Sequence, residues 1–192
     1  EKLTHYWTLW FHSPVENAWD ITSYKKIYEI RTVDDFWQVQ TRLNQFMIEN
    51  GMFFLMKENI SPMWEDMRNK NGGCWSFKVY KRYIPNTWLD LSLHTVAEKL
   101  TAAPELSKTI TGISISPKKS FSIIKIWNTD SNKKSNRLIT DSIENLNIED
   151  SDSKKEEEQE TKKEDSSQSE NNNKENDFAQ SEKEESGYTD VN

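Results

Sequence analysis

One cysteine, three histidines and five glycines in 192 residues exclude several kinds of chemistry at the outset. Cys74 has no second cysteine to pair with, so no disulfide can form within the chain, and a reducing, intracellular, cytoplasmic setting is expected. None of His5, His12 and His94 stands in a motif with a nucleophile or with other metal ligands, and a lone thiol is no enzyme signature. The sequence therefore predicts a protein that is not an enzyme and carries no metal or cofactor. The glycines form no GxGxxG loop and no strict βαβ rhythm appears, which argues against a dinucleotide-binding sheet. No apolar run approaches the roughly 18 residues that read as a membrane span, and no secretory signal opens the chain. Internal repeats are absent too. The chain starts at Glu1 rather than Met, which points to an N-terminal piece ahead of it.

Tryptophan is what the chain has in abundance. Trp7, Trp10, Trp19, Trp37, Trp64, Trp75, Trp88 and Trp127 lie in the first 127 residues, and none lies in the last 65. A small core absorbs few rings of this size without voids, and a buried indole N–H wants a hydrogen-bond partner. Some rings are therefore expected at the surface, where a flat aromatic face stacks on a base, holds a cation or receives a partner helix.

Charge divides the chain. Asp141 to Asn192 hold 18 acidic against 6 basic residues, whereas residues 1–140 hold 19 basic against 14 acidic. The overall charge of −7 thus conceals a mildly basic folded part. The acidic end has almost nothing apolar to bury and cannot offset the entropy of ordering itself. One domain is expected at 1–148, followed by an acidic disordered tail at 149–192. Such a tail ordinarily serves solvation; shielding of a basic nucleic-acid groove, or phosphorylation of its serines, are the alternatives.

Periodicity predicts an α+β fold. Tyr6–Phe11 and Tyr24–Ile30 read as strands. Thr32 offers a helix N-cap with Asp34 and Asp35 in the first turn, and one helix is expected to run to about Asn50, stopped by Gly51. Its core stripe would be Phe36, Val39, Leu43, Phe46 and Met47, and Trp37 falls roughly 100° off that stripe. Phe53–Lys57 and Trp75–Tyr80 read as strands flanking a loop from Pro62 to Gly73, and a helix is expected from about Asn86 to Leu100. Thr109–Ser116 and Phe121–Trp127 form a strand pair across Pro117-Lys118-Lys119-Ser120, and a weak helical pattern at Leu138, Ile139, Ile143 and Leu146 precedes the tail. This mixture predicts an antiparallel sheet backed by helices on one face.

The densest constellation is Pro62-Met63-Trp64-Glu65-Asp66. A loop tryptophan beside a carboxylate can stack on a base and accept hydrogen bonds from its edge; guanine offers N1–H and N2–H side by side. Trp19, on another irregular segment, could form the opposite wall. Two indoles around one purine bind a cationic N7-methylated ring best, since cation–π attraction adds to stacking. Lys118, Lys119 and Lys125 could meet phosphates. Each feature also has a plain reading: a loop tryptophan can be a lid over the core, and paired turn lysines can be simple solvation.

In combination these residues resemble the eukaryotic translation initiation factor 4E family, which binds the 7-methylguanosine cap of mRNA. The resemblance runs from about Leu3 to Trp127. It is carried by Tyr6-Trp7-Thr8-Leu9-Trp10-Phe11, by Thr32-Val33-Asp34-Asp35-Phe36-Trp37, by PMWEDMRNKNGGCW at 62–75 and by Ile124-Lys125-Ile126-Trp127. It implies that Trp19 and Trp64 sandwich the methylated guanine, that Glu65 takes its N1 and N2 protons, and that Trp127 touches the N7 methyl group. It also implies a cap slot on the concave face of the sheet. On the convex face, Val33, Trp37, Leu89, Asp90 and Leu93 would dock a helix from scaffold initiation factor 4G or from inhibitory 4E-binding proteins.

The chain departs from the family pattern in places. Cys74 stands where a basic residue is usual, and Ile123 replaces a phosphate-contacting lysine, with Lys125 two residues on along the same strand face. Only Lys118 matches a family phosphate ligand directly. Glu1-Lys2 stands in place of the His-Pro pair that opens the family's docking surface, and no final strands are recognisable after Trp127. Two other readings follow: a cap-binding translational repressor, against which the retained Trp7 and Trp19 indoles weigh, and an interaction-only homologue that has lost cap binding.

Overall fold

The strands carry apolar residues on both faces, and that two-sidedness sets the architecture. The computed structural model describes residues 1–101 and 103–133, Ile139, and the strand Glu149–Asp150. Six strands build a curved, open antiparallel sheet: β1 (Lys2–His12), β2 (Tyr24–Thr32), β3 (Met52–Lys57), β4 (Gly73–Tyr80), β5 (Ile110–Pro117) and β6 (Phe121–Asn128). A two-residue β7 (Glu149–Asp150) joins beside β4, giving the order β2-β1-β3-β5-β6-β4-β7. The sequence assigns those two residues to the tail. An open strand edge offers unpaired N–H and C=O groups to a passing segment, and Glu1–Ser151 forms one compact unit. The rest of the tail expected at 149–192, from residue 151 on, lies outside the described residues, as does the helical pattern at 138–146 apart from Ile139, which is buried in the core.

Successive strand residues point to opposite sides. Trp7 and Leu9 of β1, Phe53 and Leu55 of β3, Trp75, Phe77 and Val79 of β4, Ile113 and Ile115 of β5, and Ile124 and Ile126 of β6 all enter the main core. Helices cover that convex face: α1 (Val33–Arg42), α2 (Gln45–Asn50) and α4 (Ile84–Val96) contribute Phe36, Val39, Ile48, Trp88 and Leu91. The intervening residues Phe54, Met56 and Trp127 cluster on the other face with Ile60, and Trp10, Tyr24 and Met52 pack against them. The buried indole N–H groups of Trp7, Trp75 and Trp88 have no hydrogen-bond partner among the described residues.

The helix expected from Thr32 to Asn50 is two helices. Its start is as the sequence indicates: Thr32 and Asp35 form a reciprocal capping box, with N–H···O distances of 3.1 and 2.9 Å. The backbone N–H of Arg31 and then the Thr32 side of the box hold the Asp35 carboxyl below its ordinary pKa. At Asn44 the side chain accepts from the Met47 N–H at 2.9 Å and starts α2, so Leu43 and Asn44 are extended. A side chain that caps competes with helix continuation. The break resets the helical phase, so Phe46 and Met47, expected in the core, are exposed, and Ile48 is buried instead. Helix α4 begins at Ile84 with Pro85 in its first turn, where a missing N–H costs nothing, and ends at Val96 rather than Leu100.

The segment Pro62–Gly73 is mostly irregular but contains one helical turn, α3 (Met67–Lys70). A short helix α5 (Pro104–Ser107) precedes β5. The loop seats on the end of β6 at Gly72, where a Cβ would lie 1.8 Å from the Asn128 carbonyl oxygen. Backbone meets backbone there, so Gly72→Ala should destabilise the fold by about 1–3 kcal/mol, the usual cost of overpacking. Urea unfolding should show a lower midpoint at unchanged slope; wild-type stability would show that the loop does not seat on β6.

Candidate functional site

The concave face carries a cleft of about 280 Å³. Strands supply its floor: Met52 and Phe54 from β3, Ser114 and Ser116 from β5, Lys125 and Trp127 from β6. The connections supply its walls, with Trp19 on the β1–β2 side and Pro62, Trp64 and Glu65 on the segment after β3. Four residues singled out in the sequence, Trp19, Trp64, Glu65 and Trp127, therefore line one cavity together with Lys125.

Each wall is held by hydrogen bonds close by in sequence. Asp66 accepts from the N–H groups of Ser61 at 2.8 Å and Arg68 at 3.0 Å, and the buried Asn69 amide donates to Ser61 O at 3.1 Å and Met63 O at 2.8 Å. These bonds clamp the chain on both sides of Trp64 and Glu65. On the other wall, Asp20 caps a 3-10 turn at Ile21–Ser23 by accepting from Thr22 N at 2.8 Å. The two wall indoles stay accessible, Trp19 at 54% and Trp64 at 46% exposure, whereas Trp127 is only 8% exposed. The Trp127 indole N–H donates to Ser114 Oγ at 3.0 Å, which fixes its ring, and the Trp64 and Trp127 centroids lie 5.6 Å apart at 54°.

Tyr24 is a cleft residue that the sequence reading missed, and His12 is a buried residue behind the cleft wall that it also missed. Tyr24 meets Trp19 edge-on at 6.5 Å and Phe54 at 5.4 Å. Burial raises the pKa of its phenol, and the nearby Glu65 charge raises it further. His12 stacks on Trp19, with ring centroids 4.3 Å apart at 6°. The only signal for either was strand alternation, which puts His12 on the same face as Trp10.

Lys118 and Lys119 do not line the cleft. They sit exposed on the β5–β6 turn, where the Lys118 N–H closes the hairpin onto Phe121 O at 2.8 Å, on the strand running on from Ser116. Ile123 and Cys74 take the positions discussed above: Ile123 pairs with Ser116 and Lys78, and Cys74 with Trp127.

The other candidate surface is on the helical side. Val33 and Trp37 of α1 and Leu93 of α4 are exposed, at 36%, 45% and 37%. Leu89 and Asp90 are half-buried, and Leu89 packs partly against the core. Gln40 donates to Ser92 Oγ at 3.0 Å and ties the two helices together. Around the helix break lies an apolar hollow of about 380 Å³ between Phe11, Ile27, Leu43, Phe46, Met47 and Phe53, invisible to a reading that kept one helix.

Comparison with known proteins identifies relatives of the chain and of its fold. Residues 2–177 match the family model described as eukaryotic initiation factor 4E. The chain is 34% identical over 136 residues to eukaryotic translation initiation factor 4E1 of Drosophila melanogaster, covering 68% of this chain and 51% of that protein. It is 29% identical over 139 residues to factor 4E-2 of Schizosaccharomyces pombe, covering 69% and 55%. The chain spans about half the length of the curated relatives it matches. Among solved structures, the complex of C. elegans eIF4E-3 with the 4E-binding protein Mextli and cap analog superposes with a TM-score of 0.62 at 26% identity, covering 70% of this chain and 77% of that one. Schistosome eIF4E complexed with m7GpppG and 4E-BP gives 0.62 at 26%, covering 69% and 74%. With a family match along most of its length, and a sheet and helices that superpose on these relatives, the chain belongs to the eukaryotic initiation factor 4E family.

Proposed function

We propose that this protein binds the 7-methylguanosine cap of mRNA in the concave cleft and recruits a scaffold initiation factor through its convex helical face, as a cytoplasmic factor that starts translation. The observation that carries the reading is the convergence of Trp19, Trp64, Glu65 and Trp127 on one base-sized cavity. Trp19 and Trp64 take the two faces of the purine, and methylation at N7 makes the ring a cation, which an indole face attracts beyond ordinary stacking. Glu65 accepts from N1–H and N2–H, and Trp127 meets the methyl group at the floor. The complexes of the relatives, named for their cap analog, m7GpppG and 4E-binding protein contents, support both halves of the reading.

Phosphates beyond the base meet Lys125 first, because it is the lysine that lines the cleft, with Lys118 and Lys119 further along at the turn. The docking helix of factor 4G or of an inhibitory binding protein lies across Val33, Trp37, Leu89, Asp90 and Leu93. The function is binding, with no covalent step. The repressor and interaction-only readings have less support: the base residues all converge, and Trp37 stays exposed on the docking side.

Titration with a 7-methylguanosine nucleotide should quench tryptophan fluorescence, and no quenching at hundreds of micromolar would sink the proposal. Trp64→Ala should cost about 1–3 kcal/mol of stacking, the usual loss per base, or roughly five- to a hundredfold in affinity; a folded variant that binds normally would remove Trp64 from the sandwich.

Glu65→Gln replaces one acceptor with a donor and removes a charge, leaving a buried guanine donor unpaired at about 1–3 kcal/mol, so binding should weaken roughly ten- to a hundredfold. The same variant should lower the Tyr24 pKa, because an anionic phenolate no longer faces a carboxylate, while burial still holds it above its ordinary value. Alkaline difference absorbance reads that shift; an unchanged titration would place Glu65 too far from the floor to read the base.

Trp37→Ala should abolish binding of a scaffold-derived peptide and leave cap affinity nearly unchanged, since the ring and the cleft lie on opposite sides of the sheet. Loss of both in a pull-down and a titration would make Trp37 a core residue instead.

A further inference from the structure

Trp19 is a large exposed ring on a weakly tethered segment, yet its plane is well defined. Residues 13–19 follow β1 with few bonds of their own: Glu16 N to Ser13 O at 3.0 Å and Ala18 N to Glu16 Oε1 at 3.0 Å. Val15 in this segment is 87% exposed. What holds Trp19 comes from the sheet. The His12 ring, 0% exposed at the end of β1, lies flat against the indole with centroids 4.3 Å apart and an interplanar angle of 6°. Its Nε2–H donates to the Ala18 carbonyl at 2.9 Å, one residue before the tryptophan. A carbonyl only accepts, so Nε2 carries the proton, and the buried Nδ1 has no hydrogen-bond partner among the described residues. The Tyr24 ring also meets the imidazole, tilted at 57° with centroids 4.8 Å apart.

We propose that His12 is a positioning residue for Trp19, fixing by stack and tether the indole plane that receives the base. The proposal rests on the cap-binding reading above. One face of Trp19 is occupied by the imidazole, which does not line the cleft, so the opposite face is the one open to a ligand. The ring is ordered before the ligand arrives, so its rotamer freedom is not lost on binding. The imidazole thereby acts through Trp19 and touches no ligand itself.

The test is 7-methylguanosine triphosphate binding to wild type, His12→Ala, His12→Phe, Trp19→Ala and the His12→Ala/Trp19→Ala double variant. His12→Ala should weaken binding about tenfold, which is about 1.4 kcal/mol, through the lost stack and the mobile ring. His12→Phe keeps a flat ring under the indole and should recover most of that loss. In the Trp19→Ala background, His12→Ala should cost almost nothing further, because the residue it positions is gone. Thermal midpoint and scaffold-peptide binding should stay at wild-type values in His12→Phe. The inference is overturned if His12→Ala binds like wild type, if the loss is as large without Trp19, if phenylalanine recovers nothing, or if the loss tracks a fall in peptide binding. Absence of binding by wild type would bring down the cap reading and this inference with it, whereas normal wild-type binding with an unaffected His12→Ala defeats this inference alone.

Discussion

The structure depends on a sheet that is apolar on both faces. A half-exposed antiparallel sheet normally alternates apolar and polar. Here Phe53 and Leu55 enter the helix-backed core while Phe54 and Met56, their direct neighbours, form a second cluster on the concave side. The same holds on β6, where Ile124 and Ile126 face the helices and Trp127 faces the cleft. Register is therefore specified twice over. A slip of one residue would place Lys125 in the core and remove Trp127 from the floor, so the pairing Ser114↔Lys125 and Gly112↔Trp127 is protected from both sides. Without that constraint the cleft would have no fixed floor.

On this rigid floor the walls are built differently. Trp64 and Glu65 are braced by side-chain clamps from Asp66 and Asn69 to nearby backbone, which hold the segment without burying it. Trp19 is braced from the sheet instead, by aromatic contact with His12 and Tyr24. Exposed rings suit a ligand that must enter and leave, and fixed rings suit affinity; short tethers to a stiff sheet supply both.

Much of this was readable from residue order. The strands stand where alternation places them, most extended by one to four residues at an end while β5 begins at Ile110 rather than Thr109, and the Thr32–Asp35 box opens α1 as its composition indicates. Trp64 beside Glu65 on a loop was legible because chemistry and spacing coincide. Asn44 was not, since an asparagine within an amphipathic pattern is equally a helix residue or a cap, and only packing of Ile48 decides. The placement of Tyr24 and His12 depended on which side of the sheet the cleft occupies. Lys125, rather than the turn lysines, reaches the cleft because β6 carries it there, two residues before Trp127 on the same face. β7 escaped notice because two residues give no periodicity.

The break at Leu43–Asn44 has a consequence for backbone exchange with solvent. Two helices have twice as many ends as one, and each end leaves amides or carbonyls outside the internal ladder. Asn44 satisfies one such amide at the start of α2, and the Gly51 N–H returns to Met47 O at 2.7 Å at its finish. A helix of six residues is too short to persist without packing, so its deuterium uptake follows opening of the Ile48 contact rather than unfolding of the whole domain. The adjoining α1, capped at its start and buried along Phe36 and Val39, belongs to the slow-exchanging core. The apolar hollow beside α2 is thus bounded on one side by a helix that depends on a single buried side chain for its packing.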